Sequence, residues 1–137
     1  MLQRKLSLNE EDDIMDQKSL YERLGGYDGV AAFANNLVPR LQSDPLLGRF
    51  WDNRSNDSIV REKQLLIDYL CANAGGPLYY TGRDMKLSHQ GMQITESDWD
   101  AFFKHAGATM QALDMAQQEC DDVVAFVSSL KDDIVEA

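Results

Sequence analysis

The chain has 137 residues, enough for one domain with a single core. Thirteen Lys plus Arg against 23 Asp plus Glu leave a formal charge of −10, which argues against a nucleic-acid partner, since such proteins show a basic footprint. With 44% apolar and 26% charged residues the composition is that of a soluble globule, and no stretch approaches the roughly 18 apolar residues of a membrane helix. Cys71 and Cys120 make no disulfide framework, so a reduced cytoplasmic protein is expected.

Residues 1–17 hold five acids and two bases without periodicity. They read as an acidic, flexible extension, and one domain then runs over 18–137. Ser19 to Gly26 has a serine to start a short helix and two glycines to end it. Val30, Phe33, Ala34, Leu37, Val38 and Leu41 recur at helical spacing and predict an amphipathic helix over 28–42, interrupted at Pro39 by the missing amide donor. Asp44-Pro45 opens a short segment that closes on Phe50-Trp51. A helix over 58–74 follows, stopped by Gly75-Gly76-Pro77. A short helix at 84–90 carries His89, and Thr95 with Asp98 forms the looser capping box of a helix over 96–112. The last helix is expected over 116–134, with Val123, Val124, Phe126, Val127, Leu130 and Ile134 inward. No segment alternates long enough for a strand, and the fold class is all-α.

The weakly periodic stretch 75–94 is long for a connection, yet Leu78, Tyr79, Tyr80, Met85, Leu87 and Met92 call for burial. A segment packed against something other than its own helices would explain it. One imidazole, His89, among Met85, Ile94, Trp99 and Phe102 suits a haem iron, which needs an axial nitrogen in an apolar slot. On spacing alone a partly exposed, structural histidine remains open. His105 lies mid-helix, 16 residues further on, and reads as structural. No zinc face, phosphate loop or nucleophile elbow is present, and no catalytic residue is assigned.

Four segments carry a resemblance: Leu20-Tyr-Glu-Arg-Leu-Gly-Gly26, Asp44-Pro-Leu-Leu-Gly-Arg-Phe-Trp51, Gly75 to His89, and Ile94-Thr-Glu-Ser-Asp-Trp99. Together they resemble the truncated haemoglobins, the two-over-two globins, and group I most closely. Tyr-Thr-Gly-Arg-x-Met-x-x-x-His followed by Ile-Thr is the most specific piece. The resemblance implies a two-over-two helical sandwich around haem b, with His89 as the proximal iron ligand. Met85, Ile94, Trp99, Phe102 and Val127 would line the proximal side, with Phe50 or Trp51 packed on the macrocycle and Leu66 and Leu70 on the helix across it. Arg83 and Lys86 would meet the propionates, with Tyr80 as a hydroxyl partner.

The distal side departs from the family. Val38 falls where many group I members carry a tyrosine that hydrogen-bonds the oxygen ligand. Counting back from Gly75 puts Leu66 over the iron, with Glu62 a turn earlier. Matching Lys63-Gln64 to the family's similar pair turns Gln64 inward instead, and Tyr69 is a further candidate hydroxyl. A mostly apolar distal pocket is expected. The implied function is reversible binding of O2, NO and CO by a monomer or weak dimer, for oxygen transport or NO detoxification; the latter needs a separate reductase. The alternative is a helical interaction or sensor domain that kept the scaffold and lost haem.

Overall fold

Every regular element among residues 18–136, the span described by the computed structural model, is helical. The expected extension over 1–17 lies outside the described residues. In chain order the helices are α1 (Leu20–Arg23), α2 (Gly26–Ser43), a 3-10 turn (Leu47–Trp51), α3 (Asn56–Asn73), α4 (Met85–His89), α5 (Glu96–Ala112), α6 (Gln117–Ser128) and α7 (Lys131–Ile134). Their starts follow local chemistry. Ser19, Ser55, Asp84 and Thr95 each accept a hydrogen bond from a first-turn amide, and Thr95 with Asp98 completes the expected capping box.

Helix α2 is the hub, packed against α1, α3, α5 and the 3-10 turn. Its inward stripe divides between two buried clusters. Val30 and Ala34 join Ile67 and Cys71 of α3, whereas Leu37 and Leu41 join Leu47 of the turn and Ala106 of α5. Each such aliphatic side chain withdrawn from water contributes about 1.5–3 kcal/mol. The junction of α1 and α2 is tight enough to require Gly29, where a Cβ would stand 1.8 Å from the Leu24 carbonyl oxygen.

Two expectations are corrected. Pro39 does not break α2, which runs through to Ser43. The proline forfeits only its own donor, while Leu37, Val38 and Leu41 on either side are buried and hold the flanking turns on the core. The last helix is not continuous over 116–134. It ends at Ser128 and resumes as α7, because the Ser129 hydroxyl turns back to the Phe126 carbonyl and competes with the helical ladder. Within α6, Val124, expected inward, is 37% exposed.

Two side-chain contacts to carboxylates tie the aromatic-bearing turn to α5. Arg49 makes a two-pronged contact with the buried Asp98, at 3.0 and 2.7 Å. His105 Nε2 lies 2.7 Å from Asp44, whose other oxygen accepts from the Leu46 and Leu47 amides at the head of the turn. The bond to His105, then those two amides, hold the Asp44 carboxyl down at about 2, and Arg49 lowers that of Asp98. Carboxyls lowered in the folded state take up protons more readily when unfolded, so their stabilisation is complete above about pH 4 and is lost as pH falls towards 2. Urea midpoints should therefore drop across that window, and Asp44→Asn should flatten part of the drop; an unchanged profile in the variant would remove Asp44 from the account.

Candidate haem site

His89 is the last residue of α4, a five-residue helix that Asp84 starts by accepting the Leu87 amide at 2.7 Å. Its Nδ1 lies 2.8 Å from the Met85 carbonyl oxygen one turn back and 3.0 Å from Ser88 Oγ. A carbonyl can only accept, so the proton sits on Nδ1 and the lone pair on Nε2. A histidine oriented in this way, through the nitrogen that the metal does not use, is the usual arrangement at metal centres. The ring is half-buried, and both of its hydrogen bonds to described residues are at Nδ1.

The other expected residues fall into distinct groups. Phe50, Trp51 and Phe102 pack together on the Leu37–Leu41–Leu47–Ala106 cluster. Trp99 is buried and extends this aromatic group, 5.9 Å from Phe102 and 5.3 Å from Phe103 between ring centres. Leu66 and Leu70 join the opposite cluster on α2 and α3. Leu70 and Val127 line an apolar cavity of about 410 Å³ between α2, α3 and α6, shared with Leu24, Phe33 and Phe126. His89, Met85, Ile94 and Trp99 lie outside that cavity. Helix α4 packs instead on α7, and neither α2 nor α3 is among its close neighbours, so His89 is held apart from the facing helices.

On the facing side Val38 is 7% exposed and belongs to neither cluster. Gln64 is not turned inward. It is exposed, and its amide donates to the Tyr27 hydroxyl at 2.9 Å and to Asp68 at 3.0 Å. Glu62 likewise pairs with Arg54. Tyr69 packs edge-on against Tyr80 at 5.0 Å and lies 6.0 Å from Phe126, and burial pushes its phenol pKa up, which keeps the hydroxyl protonated. Tyr80 donates to the Arg83 carbonyl, and both Arg83 and Lys86 are exposed.

The donor set therefore offers one nitrogen lone pair on a half-buried imidazole, with two exposed cations, Arg83 and Lys86, nearby in sequence. It fits haem: the histidine is already in the tautomer that an axial ligand needs, and no competing cluster of three or more His, Cys, Asp or Glu occurs among the described residues. Sequence reasoning missed Ser88, Tyr27 and Glu136. Ser88 stands next to His89 and could have been named; Tyr27 and Glu136 lie 37 and 43 or more residues from the groups they bind, and nothing local marks them.

A family model described as bacterial-like globin matches residues 19–136. The chain belongs to the bacterial-like globins. It is 27% identical over 116 residues to a group 1 truncated hemoglobin of Mycolicibacterium paratuberculosis, covering 85% of this chain and 83% of that one. Its fold is the two-over-two globin fold. It superposes on the Fe(III) truncated hemoglobin of Tetrahymena pyriformis with a TM-score of 0.78 at 22% identity, over 88% of this chain and all of that one. A Synechococcus 2/2 hemoglobin, solved in the cyanomet state with covalently attached heme, gives 0.77 at 28% identity over 86% and 98% of the two chains.

The helix bearing His89 is too short to sustain itself, so its cap should matter. Asp84→Ala is expected to cost about 1 kcal/mol of stability in chemical denaturation. A variant as stable as the wild type would show that packing on α7 alone holds α4.

Proposed function

We propose that this globin binds haem b through His89 Nε2 and takes O2, NO and CO on the opposite side. The observation that carries the reading is the Nδ1–Met85 carbonyl bond, which leaves Nε2 as the donor nitrogen in a chain of globin family and fold. When bound, haem would supply an iron able to take a diatomic ligand. The chain's own residues do the rest. Met85 and Ser88 orient the imidazole; Ile94, Trp99 and Phe102 supply the apolar proximal wall; and Phe50 and Trp51 approach from the turn. Arg83 and Lys86 neutralise the propionates, with the Tyr80 hydroxyl beside them, and Leu66, Leu70 and Val127 complete the apolar lining.

The distal side is apolar in this reading. Gln64 is committed to Tyr27 and Asp68, Glu62 to Arg54, and Val38 and Leu66 offer no donor. A neutral hydrogen bond to the ligand is worth about 0.5–1.5 kcal/mol, so its lack speeds ligand release by up to about tenfold. Reversible oxygen binding fits without further machinery. NO detoxification requires electrons from a separate reductase, and the charge of −10 favours one with a basic docking face.

Purified protein supplied with haem should be red, with a strong Soret band that His89→Ala abolishes or weakens. A colourless wild type would favour an interaction domain that has lost haem. In stopped-flow measurements Gln64→Leu and Tyr69→Phe should change the O2 dissociation rate by less than about twofold, and Val38→Tyr should slow it by about tenfold. A large acceleration in Gln64→Leu would mean that its amide reaches the ligand.

A further inference from the structure

Helix α4 is continued by a strained loop. Gly91 has φ +84° and Gln93, which is not a glycine, has φ +57°, a left-handed conformation that side chains resist. The amides of these two residues point the same way, and one carboxylate receives both. Glu136 Oε2 accepts from Gly91 N at 3.0 Å and Oε1 from Gln93 N at 2.8 Å. The backbone amide of Glu136 also donates to the Ile94 carbonyl at 2.9 Å. Three hydrogen bonds thus fasten residue 136 across the loop that begins two residues after His89. Helix α7, immediately before Glu136, is the close packing partner of α4.

We propose that Glu136 is a positioning residue for the proximal histidine: its carboxylate brackets the 91–93 loop and so fixes the attitude of α4 and of the His89 imidazole toward haem. The inference rests on the haem reading above and adds to it a residue that touches neither haem nor His89 directly. Two amide donors on one ionised carboxylate make a stronger tie than neutral bonds of the same number. The Met85 carbonyl sets the rotation of the ring within α4, but it cannot set where α4 lies. A five-residue helix has too few internal bonds to fix its own position, and Glu136 supplies that fix from the far end of the chain. Binding to haem then draws on a histidine already in place, with less ordering left to do at the moment of binding.

The test uses the full chain, loaded with haem and in parallel without it, as wild type, Glu136→Ala and Glu136→Gln. Three quantities are read: haem transfer to an excess of apomyoglobin, the iron–histidine stretching frequency of the ferrous protein by resonance Raman, and amide exchange at Gly91 and Gln93 in the haem-free chain. In Glu136→Ala both amides should exchange about tenfold faster, haem should leave about tenfold faster, and the stretching band should broaden or shift. Glu136→Gln, which keeps one good acceptor and the side-chain shape, should fall between. Wild type that takes up no haem would overturn the haem reading and this proposal with it. Wild type that takes up haem normally, with an unmoved stretching band and an unaltered rate of haem loss in both variants, would overturn the proposal alone. Faster amide exchange without either change in the haem readouts also overturns it, since Glu136 would then hold the loop and nothing more.

Discussion

Both halves of the hydrophobic core are built on α2: Val30 and Ala34 reach α3, and Leu37 and Leu41 reach the 3-10 turn and α5. The same stripe carries α2 through Pro39, which lies between Leu37 and Leu41 of the second cluster. The buried neighbours on both sides outweigh the one hydrogen bond the proline removes. Val38 is buried as well but belongs to neither cluster. Gly29 is needed at the helix start, where only a residue without Cβ admits the Leu24 carbonyl.

The turn that carries Phe50 and Trp51 is held by packing and by polar ties together: Leu47 is buried in the second cluster and both aromatics pack on it. Asp44 caps its head and pairs with His105, while Arg49 reaches Asp98, which is itself part of the α5 capping box. Asp98 therefore starts a helix and anchors a loop at once. Exposed ion pairs are worth little, but Asp98 is only 2% exposed, and its guanidinium partner is matched in geometry as well as charge. The aromatics of the turn therefore rest on the Leu37–Leu41–Leu47–Ala106 cluster with these polar ties added to their packing.

The two sides of the candidate site are held differently. On the facing side, polar groups of α3 are taken up at the surface, Gln64 by Tyr27 and Asp68 and Glu62 by Arg54, while Leu66, Ile67, Leu70 and Cys71 join the apolar cluster with α2. On the histidine side, a five-residue helix is fixed by hydrogen bonds at both ends: Asp84 before it, Glu136 after it. Both His89 orientation and α4 position are thus matters of hydrogen bonding, whereas the walls are matters of packing. Substitutions in the walls and in the hydrogen bonds should accordingly separate into effects on ligand release and effects on haem retention.

The sequence by itself determined the all-α class and the ends of most helices, and its motif singled out His89 as the candidate ligand. These are local matters: caps, glycine stops, helical periodicity and a motif within 15 residues, each legible because its partners are close in the chain. Helix α5 was legible to the residue, since Thr95 and Asp98 stand three apart. Tertiary structure alone decided the continuity of α2 through Pro39, the outward turn of Gln64 and the bracket that Glu136 places on the His89 loop. In each case the deciding partner lies elsewhere in the chain, across 37 residues for Gln64 and Tyr27 and up to 45 for Glu136 and Gly91. A spacing in sequence can offer a side chain to a face; only the packed neighbours settle whether that face is a pocket or the surface.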